Sequence, residues 1–300
     1  LTDHPEIAGI SVVHEVASVG GNRRFVVRLA DGAEVESVLY RGDTLCVSSQ
    51  VGCGVRCPFC ASGANGVARS LTTEELFGQL EVVDARLRAE GAPPIARVTV
   101  SGSGEPLHNH AAVRSFVDAV RTRAPASLTT SGAPLARLEE WLAPPPAGPL
   151  HNGLTISVHA GTEPTRARLV PKGPSLASLF ELLGRAVPCT SARRRKKLAL
   201  AYLCLEGEND GDGEVDAFVD RALPLGLAVH LYAHNPVPTS GHRGVERARY
   251  EALYERMRDR GLVVRMSSRA RLEPNGGCGT LVALRPSRAA AAGYHRPEEP

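Results

Sequence analysis

Three cysteines, Cys53, Cys57 and Cys60, lie within eight residues as Cys-Gly-Val-Arg-Cys-Pro-Phe-Cys. Thiolates are the soft ligands that iron–sulfur clusters need. Three of them hold three irons of a 4Fe–4S cube and leave the fourth iron open to a substrate or cofactor; a fourth cysteine would close the cube for plain electron transfer. The same spacing admits zinc, with Cys46 as a fourth ligand, or a set of structural thiols.

A cysteine loop needs elements to position it. Phe25-Val-Val-Arg-Leu and Val35-Glu-Ser-Val-Leu-Tyr flank the turn Ala30-Asp-Gly-Ala and predict a β-hairpin. Leu45-Cys-Val-Ser predicts a strand that leads into the cysteine loop. Thr72 followed by Glu75 has the form of a capping box, opening a helix with Leu76, Leu80, Val83 and Leu87 on one face. Strands near 98–100, 127–130, 154–158, 198–203 and 228–232 then alternate with helices near 110–123, 134–142, 175–186, 213–224 and 243–260, before a last strand at 262–266. Alternation of this kind predicts an α/β fold with a parallel sheet. Six units counted from Cys46 predict a partial (β/α)6 barrel with an N-terminal β-hairpin extension, its chemistry at the C-terminal ends of the strands. The boundaries that follow are 1–43 for the extension, 44–284 for the barrel with its Cys278 loop, and 285–300 for a tail without periodicity, read as disordered.

The candidate motifs fall where a barrel keeps its chemistry. Gly102-Ser-Gly-Glu-Pro follows the second barrel strand, Thr130-Ser-Gly the third, Ser157-Val-His-Ala the fourth and His234-Asn-Pro the sixth. Glycines let backbone approach a ligand closely, and Glu105 offers an acceptor for an amino group. Singly, each of these is an ordinary turn.

Composition bounds the rest. The chain has 300 residues, 43% hydrophobic, with a net charge of +3. It is long enough for one large domain or two small ones and carries no strong nucleic-acid charge signature. Ser191-Ala-Arg-Arg-Arg-Lys-Lys is the one basic run, and such a run is usually a solvated face. Seven cysteines, an odd number, do not form a secreted disulfide scaffold. No apolar run reaches a membrane span and no signal-peptide pattern opens the chain, so a cytoplasmic, reducing setting is expected. The sequence begins at Leu1 rather than Met, through an unusual start codon or the loss of upstream residues.

Taken together, the cysteine loop and the ordered Gly-Glu-Pro-Leu, Thr-Ser-Gly, Ile-Ser-Val-His-Ala, Asn-Pro and Gly277-Cys278-Gly-Thr-Leu segments resemble the RlmN/Cfr-type radical S-adenosylmethionine (SAM) methyltransferases, over about residues 34–282. That family methylates adenine carbons in RNA. Zinc explains only one of the six motifs. The resemblance implies cluster ligands at Cys53, Cys57 and Cys60. It implies SAM contacts at Gly104, Glu105, Ser131, Ser157, Val158, His159 and Asn235, and a methylated cysteine at Cys278. It further implies a resolving partner at Cys46 that forms a transient disulfide with Cys278, and a general base at Glu36. Two SAM molecules per turnover and a reductant such as flavodoxin or ferredoxin follow.

The chain also departs from the family. About thirty residues precede the hairpin's return strand, where relatives carry an accessory domain of about a hundred. Ala201 stands where the family tends to have a carboxylate, and Arg271-Leu-Glu-Pro-Asn-Gly-Gly lacks its Asp-rich run. These departures touch the substrate half and favour a small heteroaromatic or nucleoside substrate over RNA. A radical SAM enzyme without methyl transfer is the further alternative.

Overall fold

The computed structural model describes residues 6–18, 21–267 and 280–284. Its first strands are β1 (Glu6–Ile7), β2 (Ile10–Ala17), β3 (Arg23–Arg28) and β4 (Glu34–Tyr40), paired antiparallel in order and joined by β4 to β5 (Thr44–Val47). The expected hairpin is β3–β4. Two further strands extend it, and β2 carries an alternation in its first residues, with Ile10 and Val12 buried and Ser11 and Val13 less so. The cysteine loop is bracketed by the short antiparallel pair β6 (Gln50–Gly52) and β7 (Val67–Ser70).

Six repeats follow from β5: helix α1 (Thr73–Ala89); β8 (Arg97–Val100) and α2 (His110–Val120); β9 (Ala126–Thr130) and α3 (Leu135–Leu142); β10 (Gly153–Ser157) with α4 (Glu163–Leu169) and α5 (Leu176–Ala186). After the short α6 (Ala192–Arg195) come β11 (Leu198–Cys204) and α7 (Asp212–Ala222), then β12 (Ala228–Ala233) and α8 (Arg247–Asp259). Strand β13 (Val264–Met266) and the turn α9 (Thr280–Leu284) complete the described chain. The seven strands β5, β8, β9, β10, β11, β12 and β13 are parallel and lie side by side in sequence order. Helix α1 begins with the expected capping box, Thr72 and Glu75 bonding each other's backbone. Helix α4, which carries Arg166, has no counterpart among the elements the sequence predicted.

The two faces of this sheet differ. Leu45, Val47, Val98, Val100, Leu128, Leu154, Ile156, Leu198, Leu200, Val229 and Leu231 belong to one continuous core with the helices' apolar faces. Alternate residues point the other way. That inner face is polar: Cys46, Thr99 and Ser101 stand on it in hydrogen-bonding succession, with Cys46 Sγ 3.2 Å from Ser101 Oγ and Thr99 Oγ1 3.2 Å from the same hydroxyl. The sheet curls so that its first and last parallel strands share a cavity, lined by Thr44 and Arg97 on one side and by His230, Tyr232 and Arg265 on the other. Among the described residues, no helix is long and apolar enough to cross a membrane. The tail from residue 285 lies outside the described residues.

Candidate active site at the C-terminal ends of the strands

The cysteine loop is held shut by backbone approach. Cys53 N donates to Gly66 O at 2.8 Å. A Cβ on Gly52 would stand 2.0 Å from that carbonyl, so the crossing needs glycine there, and its φ of +79° needs it as well. Cys60 N donates to Cys57 O, and the turn 61–63 continues from it. The three cysteines are half-buried. Cys53, Cys57 and Phe59 pack with Leu203 against a small apolar cup of Val55, Leu169, Val170 and Leu205.

The charges explain what this loop suits. Burial pushes the Cys53 thiol up to about 11, and the Cys60 charge adds to it. Burial raises Cys57 further, with Cys60 and Cys53 opposing its ionisation and Arg166 favouring it. Two thiols raised in this way, beside a third, need a polycationic centre to hold them as thiolates. Among the described residues, no three such side chains converge on one point as a single metal ion requires. A cube carries its irons at separate corners, so thiolates that stand apart within one loop fit it.

The loops after β8, β9 and β10 form a rim around this cup. Gly104, at φ +107°, lies so close to the segment after β5 that a Cβ would stand 2.6 Å from Ser49 Oγ. Ser103 O accepts the amides of Ser49 and Gln50, locking the two loops together. Glu105 is buried, and its carboxylate accepts from the Thr130 hydroxyl, from Leu107 N at 3.0 Å, and from both the amide and the hydroxyl of Ser131 at 2.7 Å. Those four donors fill a carboxylate's four lone-pair positions. Glu105 therefore ties the β8 loop to the β9 loop, and an ammonium arriving there would share with the Ser131 hydroxyl.

Arg166, on α4, is the residue that the sequence did not single out. It is 1% exposed. Its guanidinium donates to Ser157 O and Val158 O at 2.8 Å, to Ser131 O at 2.8 Å and to Pro174 O at 3.1 Å. Burial lowers it to about 10, with the Cys57, Glu163 and Glu105 charges opposing that shift. It fixes the carbonyls of Ser131, Ser157 and Val158 and sets one cation beside the cysteine loop. Its sequence context, one of two arginines within Glu163-Pro-Thr-Arg-Ala-Arg168, carries no motif that marks it.

His159 has φ +58° and is buried. Its Nδ1 accepts from Leu203 N at 3.0 Å, and its ring meets Phe59 edge-on at 5.5 Å. Burial, then Arg166, lower its pKa to about 3, so the ring is neutral. Asn209, wholly buried, donates to His159 O and Leu203 O at 2.7 Å and joins the β10 and β11 ends. Asn235 follows β12 at the same end of the barrel and is half-buried.

The other candidate group stands on one wall of the lumen. Val38 pairs with Cys46 across β4–β5, so Glu36, Val38 and Cys46 share the inner face. Ser37, between them, turns the other way and bonds Gln79 on α1. A strand glutamate is usually solvated, yet Glu36 is 1% exposed. Its Oε2 accepts the Leu281 amide at 2.9 Å, and α9 lies against β4 and the turn 61–63. Cys278 lies outside the described residues, three positions before Leu281. The six described cysteines, Cys46 among them, form no disulfide with one another. Cys204 is core and Cys189 is exposed. In the basic run, Arg194 is a structural anchor that donates to Trp141 O at 2.8 Å.

Comparison with known proteins agrees with this arrangement. A 4Fe-4S single cluster domain matches residues 41–144. A probable dual-specificity RNA methyltransferase RlmN of Frankia casuarinae is 33% identical over 275 residues, 88% of this chain and 65% of that protein. Its counterpart in Rhodopirellula baltica is 34% identical over 292 residues, 94% of this chain and 76% of that protein. This chain thus spans 65% of the first relative's length and 76% of the second's. The crystal structure of a radical SAM methyltransferase from Sphaerobacter thermophilus superposes with a TM-score of 0.77 at 26% identity, covering 91% of this chain and 81% of that one. With its cysteine loop, its partial barrel and relatives this similar over most of their length, the chain belongs to the RlmN/Cfr-type radical SAM methyltransferase family.

Proposed function

We propose that this protein is a methylcysteine-dependent radical SAM C-methyltransferase whose substrate is an adenine in RNA. The observation that carries the reading is the bond from Leu281 N to Glu36 Oε2. It holds Leu281, three positions after Cys278 in sequence, against the wall that carries Glu36 and Cys46, which supports a reading in which Glu36, Cys46 and Cys278 act together. RNA as substrate takes its support from the relatives, which are named as RNA methyltransferases. A small heteroaromatic, which Ala201 favours, is the competing outcome.

In this reading Cys53, Cys57 and Cys60 hold three irons, and the rim of Gly104, Glu105, Ser131, Ser157, Val158, His159 and Asn235 seats SAM. When bound, the cluster supplies the electron that splits SAM. Cys278, as a thiolate, first takes a methyl group from one SAM by displacement, the role for which sulfur is the right nucleophile; a second SAM is consumed in activating that methyl group, which makes two per turnover. With the methyl carbon joined to the adenine carbon and still bonded to Cys278, Glu36 takes the proton from the adenine carbon. The Cys46 thiolate then attacks the Cys278 sulfur, forming the S–S bond as the S–C bond breaks; the released carbon takes a proton to become the methyl group, and the adduct's one unpaired electron would return to the cluster. A one-electron donor of flavodoxin or ferredoxin type supplies the cluster, and a thiol reductant resets the Cys46–Cys278 pair by exchange.

An anaerobic assay with methyl-labelled SAM, run against total RNA and against small-molecule extracts, tests the reading. Label is expected in an RNA adenine, with one extra methylene on Cys278 by mass spectrometry. Label confined to small molecules would sink the RNA assignment. An unmodified Cys278, with activity kept in Cys278→Ala, would sink methylcysteine chemistry.

A further inference from the structure

The lumen has a second polar feature, away from the rim. A cavity of about 340 Å³ opens where the N-terminal ends of β5 and β8 face His230 and Tyr232 of β12 and the end of β13. Arg41 follows β4, Arg97 begins β8, and Arg265 lies on β13; all three line it. Register places Arg97 beside Thr44 and Arg265 beside His230, and residues paired in a parallel sheet share a face. Arg97 and Arg265 therefore stand on the inner face from opposite sides of the curl, Arg41 joins them in the lining, and all three side chains reach the solvent-exposed mouth. Asp43 is the one carboxylate in the lining, and it pairs with Arg97 at 2.9 Å. Among the described residues, no carboxylate pairs with Arg41 or Arg265. Tyr232 and His230, edge-on to each other at 6.2 Å, complete the wall.

Three guanidiniums facing one carboxylate in a concave site match an anion with several oxygens, because the guanidinium fork fits phosphate geometry. Aromatic side chains beside them match a planar base, the usual partner in recognition of unstacked nucleotides. The volume lies at the lower end of the roughly 300–1,000 Å³ of small-ligand sites, which suits one nucleotide and not a folded helix. Thr44 in the lining is two residues from Cys46 on the same strand face, one strand repeat of about 7 Å. A base entering above a phosphate held here would point toward Cys46 and Glu36.

We propose that this cavity is a nucleotide site that grips a phosphate between Arg41, Arg97 and Arg265, with Tyr232 and His230 against the nucleoside. The proposal rests on the reading of an adenine substrate and adds how that adenine is delivered. Isothermal titration of the anaerobic, cluster-loaded protein with AMP, adenosine and single-stranded oligoadenylate tests it without turnover. AMP is expected to bind about tenfold or more tighter than adenosine, and Arg265→Gln and Arg41→Asn each to remove most of that gain. Asn is chosen at 41 because φ there is +53° and asparagine tolerates it. Tighter binding of oligoadenylate than AMP identifies an RNA as the source of the phosphate; tighter binding of AMP identifies a free nucleotide. Equal affinity for AMP and adenosine, or both variants binding AMP as the parent does, overturns the proposal. Failure here with label still entering RNA leaves the proposed function standing. Arginine-dependent AMP binding with no label in RNA does the reverse.

Discussion

The two ends of the lumen are built on opposite principles. At the cluster end, side chains are spent on one another: Glu105 takes four donors, Arg166 gives to four carbonyls, and Asn209 joins two strand ends. At the other end, Arg41, Arg97 and Arg265 surround open volume, with one exposed ion pair between Arg97 and Asp43. Reactive chemistry needs fixed loops, because a displacement of about 1 Å from the productive geometry costs about a hundredfold in rate. Substrate recognition needs groups left over for the substrate. The contrast teaches that the rim is self-sufficient in the folded chain, whereas the cavity holds charged groups that the fold itself does not use.

The largest expected effect tests the first half of that contrast. Arg166→Met keeps the apolar stem and removes the guanidinium, stranding the carbonyls of Ser131, Ser157, Val158 and Pro174 in a buried setting. Losing a buried, charge-assisted network costs about 3–5 kcal/mol, read as a lowered urea midpoint at unchanged slope. Arg166→Lys, with one ammonium for a planar fork, is expected to recover less than half. A loss under about 1 kcal/mol, within the range of ordinary surface substitutions, would break the comparison, since the rim would then stand without its central tie.

Why the sequence announced some of this and hid the rest follows from distance along the chain. The cysteine loop, the capping box at Thr72 and the period of strands and helices are local patterns, and each appears in the structure where its residues predict. The strand-end motifs are local as well, so the places of Gly104, Ser131 and Ser157 after β8, after β9 and at the end of β10 were legible, while a role for them came only from the family resemblance. Arg166 and Asn209 act on carbonyls brought to them by other elements, so nothing near them in sequence marks their role. Glu36 shows the same limit from another side: its alternation fixes which face it takes, yet that face reads as solvated until α9 arrives, 245 residues later, to cover it. Strand β2 was missed because its alternation fades after Val12 where the register shifts between Val12 and His14. The cavity arginines belong to three separate strand ends, and only the curl of the sheet makes them one site.

A smaller effect concerns pH at the rim. His159 is neutral in the fold, with its pKa lowered to about 3 by burial and by Arg166, while an unfolded histidine titrates near 6.5. Between those values the unfolded chain binds the extra proton, so stability falls as pH drops below about 6.5 and goes on falling toward 3. At pH 5 the loss is about 2 kcal/mol relative to neutrality. His159→Asn keeps an oxygen to accept from Leu203 N and a residue that tolerates positive φ, but removes the titration. Urea unfolding at pH 7.5, 6 and 5 is expected to show a shallower acid loss in the variant. Equal slopes in both proteins would mean that other groups carry the acid sensitivity, and the rim would lose this part of its distinction.

The smallest effect tests the other end of the contrast. Arg265→Gln and Arg41→Asn remove charges that no carboxylate among the described residues answers, and each is expected to change the unliganded protein's stability by no more than about 0.5 kcal/mol, the usual range for surface sites. Arg97→Gln gives up an exposed pair with Asp43, worth about 0–1 kcal/mol. If stability at this end comes from the ligand, it should appear by mass action: a ligand at a hundred times its dissociation constant adds about 2.7 kcal/mol. Melting curves with rising AMP should therefore climb in the parent protein and stay nearly flat in Arg265→Gln, from almost the same starting temperature. Variants that already melt well below the parent without AMP would show that these arginines hold the fold together as Arg166 does, and the two ends of the lumen would no longer differ in kind.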